Sequence, residues 1–386
     1  MTIKNKLVVI FWLFAVLLLF IYSYTQIDLN LTLFKIPVYQ HVQVQLIKIG
    51  YFNRPLSSII FVSLVLIFTA FYFYLLKAGV DKKVLKILIV ISLVMVFAYP
   101  AFSHDIFNYI FDARILVHYQ NSPYHSHAWD YTGDNWVRFM HWVHRPFPYG
   151  PSWLVGSSLF YLIGLGKFSL TLFSFKGLSY LSYIGSGFFI WKINSIMNKK
   201  IAQKSLVYFL FNPVIVFELL VSGHNDGFMM LFVLLSIYLL IMNRTFPAII
   251  TFLISVGVKF TSLIYAPVLL LMQNRKIRKK TWKLLINTLI ILSLVAVYII
   301  ITRRELQPWY LIWPLAIAAL IPDSILSKFL SFFSVGAVLS YLPFLYYGNW
   351  NPPVPMLKLK ILFSFAVMAF LVQGIQVIKA KYEHAK

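Results

Sequence analysis

The stretch Ser103-His104-Asp105-Ile106-Phe107-Asn108-Tyr109-Ile110-Phe111-Asp112-Ala113-Arg114 decides how the rest of the chain is read. It follows an apolar run ending at Tyr99-Pro100, so it stands where the chain leaves a membrane. As a helix, it carries Asp105, Tyr109 and Asp112 at i, i+4 and i+7, on one face. Ser103 is suited to cap that helix, which puts Asp105 in the first turn, where the helix dipole favours an ionised carboxylate. A charged acid at the mouth of a membrane segment, backed by a tyrosine and a second acid, is a candidate reaction site. The competing reading is a solvated amphipathic helix lying on the bilayer.

Composition sets the class. Of 386 residues, 60% are hydrophobic and only 12% charged, and the mean hydropathy is +0.80. No soluble fold hides that much apolar surface. The chain reads as an all-α polytopic membrane protein, one integral domain over residues 1–386. The formal charge of +23 does not point to nucleic acid, because the basic residues sit in short runs between apolar segments. That pattern is topological information. There is no cysteine, which removes disulfides and thiolate metal sites. The N-terminus resembles a signal peptide but lacks a small-residue cleavage site, so a retained first helix is expected.

A span needs about 20 apolar residues. The sequence offers 7–24, 55–76, 84–100, 205–221, 227–242, 281–301, 329–347 and 357–378. Two spans across 151–193 would put Lys192, Lys199, Lys200 and Lys204 on the side of the long 101–150 loop, against the positive-inside rule. A half-inserted or surface helix at 151–166 followed by one span at 168–193 avoids this. Residues 246–273 are too long for one span and break at Gly257-Val258-Lys259-Phe260, so two short helices are expected to meet at Lys259. A further short span runs over 309–321. The result is about 12 spans with cytoplasmic termini, and an outer region at 101–166 carrying juxtamembrane helices. Most basic residues then fall inside. The acids Asp28, Asp105, Asp112, Asp130, Asp134, Glu218, Asp226 and Glu305 fall outside, and Lys358 and Lys360 fit this scheme poorly.

Four polar clusters reach the outer face in this topology. The 101–150 loop contributes the helix at Asp105 and six histidines: His104, His118, His125, His127, His141 and His144. His125-x-His127 and His141-x-x-His144, with Asp130 or Asp134, have zinc-like spacing, but short spacings of this kind are equally ordinary loop polarity. The loop helix is expected to end at Asn121-Ser122-Pro123-Tyr124. The second cluster is Glu218 with Ser222-Gly223-His224-Asn225-Asp226-Gly227, and an intramembrane acid normally has a partner or a task. Its plainer reading is a polar hairpin turn. The third is Lys259. The fourth comprises Arg303, Arg304, Glu305, Gln307, Trp309 and Tyr310. Together they offer acids to activate a hydroxyl, cations to hold a phosphate and aromatics to stack on a sugar or an isoprenoid.

These pieces, in this order, resemble the GT-C superfamily of glycosyltransferases, and within it the bacterial polyprenyl-phosphomannose-dependent mannosyltransferases of the mycobacterial lipid type. The resemblance is carried by His104-Asp105-Ile106-Phe107-Asn108-Tyr109, Asn121-Ser122-Pro123-Tyr124, Tyr149-Gly150-Pro151, Asn212-Pro213 with Glu218, and His224-Asn225-Asp226. It continues through Val258-Lys259-Phe260-Thr261 with Ala266-Pro267, and Gln307-Pro308-Trp309-Tyr310 with Trp313-Pro314. Ser122 is inserted where the family pattern has Asn-Pro-Tyr.

The resemblance implies an inverting transfer on the outer face of the membrane, bacterial plasma membrane by analogy. A sugar, mannose by analogy, would pass from a polyprenyl-phosphate donor to a lipid or glycan acceptor, with no metal or other cofactor. Asp105 would be the catalytic base. Lys259 and Arg303 or Arg304 would hold the donor phosphate, while His104, Tyr109, Asp112, Glu218, His224, Asn225, Asp226, Gln307, Trp309 and Tyr310 would line the substrate site. A flippase for lipid-linked sugars, or a non-catalytic subunit of glycan assembly, would keep the cations without needing Asp105. A secondary transporter would place its ionisable site at the midplane between repeats, which the acids at the outer face do not match.

Overall fold

The computed structural model describes the backbone of residues 2–384 and the side chains of residues 2–375. It is helical, with no strand among the described residues. Five helices are long and apolar enough to cross a membrane: Ile3–Gln26, Arg54–Ala78, Trp282–Ile301, Ile325–Tyr347 and Val354–Ile375. Their surfaces explain the count. Trp282–Ile301 buries Leu285, Leu289 and Ile290 yet exposes Leu284, Ile291, Val295 and Tyr298. A helix apolar all round is stable only where the surroundings are apolar too. The chain is a multi-pass membrane protein.

A sixth candidate is broken. Lys199–Leu210 and Pro213–Ser222 meet at 52°. Pro213 has no N–H to continue the ladder, and Asn212 turns its side-chain oxygen onto the Val214 N–H at 3.0 Å, restarting the helix in a new direction. The remaining segments read as spans are also helical but shorter, interrupted or more polar. Residues 84–100 run as Lys82–Ile91 followed by a 3-10 turn over Ser92–Phe97. The 246–273 stretch breaks between Thr245–Val256 and Phe260–Tyr265, with Lys259 in extended backbone at the break. Pro151–Ile163 has 13 residues, a reach of about 20 Å against a hydrocarbon core of about 30 Å. A straight helix of that length falls short of the core, as does Thr245–Val256 with its 12 residues.

The helix Phe168–Met197 packs against both Asp226–Ile241 and Ala202–Leu210 and carries a fully buried lysine. Lys176 donates to the carbonyls of Leu220 and Val221. Those carbonyls belong to the last turn of a π-helical stretch, Val216–Ser222, and would otherwise lack partners where the helix stops. Gly223 then follows with φ +80, which lets the chain reverse without a Cβ penalty. A Cβ there would lie 2.9 Å from Ile106, on the helix of Asp105. These contacts hold the 222–227 turn against the loop helix.

Candidate active site

The loop helix runs from Asp105 to Val117. Its N-cap is His104, which makes no side-chain cap bond. Ser103, the expected cap, instead lies one residue outside it and accepts the Asp105 N–H at 3.3 Å. The helix stops at Val117 because Gln120 takes a left-handed φ of 55°, ahead of the expected stop at Asn121–Tyr124. Asp105 is partly open, with 16% of its side chain exposed. Burial raises its pKa above the ordinary carboxylate range, opposed by Lys259 and Arg145 and reinforced by Asp226. Asp112 is buried, and that pushes its pKa up to about 8 despite Arg145. His104 stacks on His141 at 4.1 Å, and burial with the His141 charge lowers its pKa to about 3.

Opposite Asp105 stands the 222–227 turn. His224 Nδ1 lies 3.8 Å from Asp105 Oδ2, and His224 Nε2 lies 3.2 Å from Glu218 Oε2. Neither approach has hydrogen-bond alignment, so both ring nitrogens and Glu218 Oε2 stay buried without a hydrogen-bond partner. Unpaired buried polar atoms are costly and mark places where structure serves function. The imidazole is clamped by Trp309, stacked at 4.2 Å. Glu218 Oε1 accepts the Tyr341 hydroxyl at 3.0 Å. The arrangement is an array of successive neighbours, Asp105, His224, Glu218 and Tyr341.

Beside it, Asp226 is fully buried. One oxygen meets Lys259 Nζ at 2.7 Å and the other accepts the Trp313 indole N–H at 2.6 Å. Lys259 also lies over the Tyr149 ring at 5.4 Å. The Tyr109 hydroxyl donates to Asn225 Oδ1 at 3.3 Å, leaving Asn225 Nδ2 unpaired. Lys259 is held here because two loops touch through glycines. The Gly150 N–H donates to Val258 O at 3.2 Å and the Trp153 N–H to Gly257 O at 3.2 Å. A Cβ on Gly150 would come 2.3 Å from the Gly257 carbonyl oxygen. The Tyr149-Gly150-Pro151 turn and the 257–259 break thus form one backbone contact.

The fourth cluster divides. Trp309 joins the array, and Tyr310 packs between Trp309 and Trp313 at 5.6 Å from each. Arg303 and Arg304 are exposed and make no ion pair among the described residues. Glu305 and Gln307 turn instead to Lys358, 3.0 and 3.2 Å from its Nζ. That explains how Lys358 is buried at the start of its helix. Arg145, beside Asp105 and Asp112, is a cation that the sequence reading passed over. Its only signal was its place among the loop histidines, just before the Pro146-Phe147-Pro148 turn. Tyr341 had no signal, being an ordinary apolar-helix tyrosine until the chain folds.

The zinc-like grouping does not assemble among the described residues. His127 bonds Asp130 within its own turn at 3.1 Å, and His141 lies on His104. Asp134 is taken by Arg114 at 2.5 Å and the Tyr119 hydroxyl at 2.7 Å. Arg114 also donates to the Tyr161 hydroxyl at 2.8 Å, so this cluster fastens the loop to the Pro151–Ile163 helix.

Residues 13–275, more than half of the chain, match the family described as alpha-(1->6)-mannopyranosyltransferase, N-terminal domain (MptA/B). No curated protein and no solved structure matches.

Proposed function

The chain belongs to the MptA/B family of mannosyltransferases, and from that premise we propose that it transfers mannose from a polyprenyl-phosphate donor to a lipid or glycan hydroxyl, with inversion, at the outer membrane face. The observation that carries this is the array at Asp105: a partly open acid backed by a clamped histidine and a buried second acid, with cations beside it. The loop, the 222–227 turn and Trp309 meet at one end of the bundle, which supports a single site. The topology we adopt keeps about 12 crossings, both termini cytoplasmic, and this end outward.

In the reaction, Asp105 takes the proton of the acceptor hydroxyl as its oxygen attacks the anomeric carbon. The bond from that carbon to the donor phosphate breaks on the opposite face, and its electron pair leaves with the polyprenyl phosphate. The leaving phosphate is a stable anion, so no acid catalyst and no metal is invoked. Lys259 and Arg145, with Arg303 or Arg304 from the rim, offset the charge it gathers. Asp226 aims Lys259 and limits its reach. His224, 3.8 Å from Asp105 and 3.2 Å from Glu218, fills the space behind the base and limits where its carboxylate can turn. Trp309, Tyr310, His104, Tyr109, Asp112 and Asn225 shape the sugar and lipid path.

The test is transfer from radiolabelled polyprenyl-phosphate mannose into a lipid extract. Asp105→Asn keeps size and removes the charge, and transfer falls by about two to four orders of magnitude while donor binding holds. Near-normal transfer by that variant, with Asp226→Asn inactive, would place the base in the other loop. Normal donor binding without transfer by the wild-type chain, across a panel of acceptors, would favour a non-catalytic role.

A further inference from the structure

The helices that end at the candidate site begin at a second feature. Ser222 and Tyr341 reach the site, whereas Lys204 and Lys328 sit near the start of the same two stretches, Lys199–Ser222 and Ile325–Tyr347. Along the helix axes that is about 20 to 27 Å away, at 1.5 Å per residue. There a cavity of about 350 Å³ is lined by Lys77, Lys204 and Lys328 above Phe73, Leu76 and Phe332.

The chemistry of the lining narrows the occupant. Lys204 pairs with Asp323, also on the wall. Lys77 and Lys328 make no ion pair among the described residues. The remaining polar groups are already used. The Tyr208 hydroxyl donates to Ser327 O at 2.7 Å, and the Ser331 hydroxyl donates to Ser327 O at 3.1 Å and meets the Tyr72 hydroxyl at 3.0 Å. No hydroxyl proton on this wall is left to donate to a sugar or a nucleobase. What remains is positive charge over an apolar floor, where the Phe73 and Phe332 rings lie 5.0 Å apart. Both come from apolar helices long enough to cross the membrane, Arg54–Ala78 and Ile325–Tyr347. Basic pockets between membrane helices are suited to anionic headgroups.

We propose that this cavity binds an anionic phospholipid, its phosphodiester between Lys77 and Lys328 and its acyl chain along Phe73, Leu76 and Phe332. The apolar floor selects a lipid over free phosphate, and the unpaired lysines select an anionic head over a zwitterionic one. The bound lipid joins the ends of the Arg54–Ala78 and Ile325–Tyr347 helices and relieves the repulsion among their lysines, so it stabilises the bundle from the end opposite the catalytic array.

The experiment is thermal unfolding of the purified full chain in neutral detergent, titrated with phosphatidylglycerol, phosphatidylcholine or inorganic phosphate. Phosphatidylglycerol alone raises the melting temperature. In K77Q/K328Q its half-saturating concentration rises about 25-fold, from roughly fivefold per lysine near an anionic lipid surface. D323N releases Lys204 and lowers that concentration severalfold. K279Q/K283Q, at a different basic turn, leaves it unchanged. Each midpoint is read against the variant's own lipid-free melt, and Lys77→Gln alone, at an exposed position, serves if the double variant does not fold. An equal shift with inorganic phosphate or phosphatidylcholine, or an equal loss in K279Q/K283Q, overturns the proposal.

Discussion

Asp226 and Lys259 are the sharpest place to separate structure from chemistry. Asp226 is fully buried, with Lys259 Nζ at 2.7 Å and the Trp313 indole at 2.6 Å. Breaking a buried ion pair by removing one partner costs about 3–5 kcal/mol, because the other charge stays desolvated and uncompensated. Asp226→Asn keeps an oxygen for Trp313 and leaves a partly open ammonium, so its cost sits near the lower figure. Lys259→Met leaves a carboxylate shut off from bulk solvent with one indole donor, so its cost sits near the upper one. The double variant has no charge to strand and loses about 1–3 kcal/mol, mostly packing and a hydrogen bond. Its loss therefore falls at least 3 kcal/mol short of the sum of the singles, on the standard double-mutant cycle. Unfolding in mixed detergent micelles measures the cycle, and transfer is assayed on the same samples. The double variant is folded yet transfers at least a hundredfold more slowly, since the cation facing the donor phosphate is gone. Additive single costs would refute the buried-pair reasoning. A folded double variant with full transfer would remove Lys259 from the phosphate site.

Three further outcomes follow from the geometry. With its folded pKa raised to about 8, Asp112 keeps its proton where the unfolded chain has lost it. Stability therefore falls as pH rises from about 4 to 8, by roughly 1.4 kcal/mol per unit, and is insensitive to this group below that window. Asp112→Asn flattens the slope, read from melting temperatures between pH 5 and 8. Gly150→Ala drives a Cβ toward the Gly257 carbonyl, costs about 1–3 kcal/mol and raises the KM for donor by displacing Lys259. Gly133→Ala, whose Cβ would have nothing within 4 Å, changes neither. Glu218→Gln removes the acid behind His224, and kcat falls about ten- to a hundredfold, less than with Asp105→Asn; an unchanged kcat and pH profile would make Glu218 purely structural.

Apolar character and punctuation were legible because they are local. The helix at Asp105 lies within a few residues of its expected bounds, since cap and first-turn chemistry act over one turn. The break at 257–259 and the short helix at Pro151–Ile163 were readable for the same reason: proline, glycine and a lysine interrupt an apolar pattern wherever they stand. The ordered motifs also told the family, because they record residue types in sequence.

Partnership was not legible, because it depends on which helix ends are brought together. Lys259 looked like a free cation until Asp226, 33 residues earlier, met it. Gln307 looked like a substrate contact, Glu305 like a plain outer acid and Lys358 like a misplaced charge, until the fold paired Lys358 with both across 53 and 51 residues. Tyr341 reaches Glu218 across 123 residues. The sequence by itself determined an all-helical membrane protein with acids and cations collected near helix ends. Only the tertiary structure decided which of those charges neutralise one another and which remain to act. A buried charge is tolerable only with a partner, and a partner is set by packing, not by spacing along the chain.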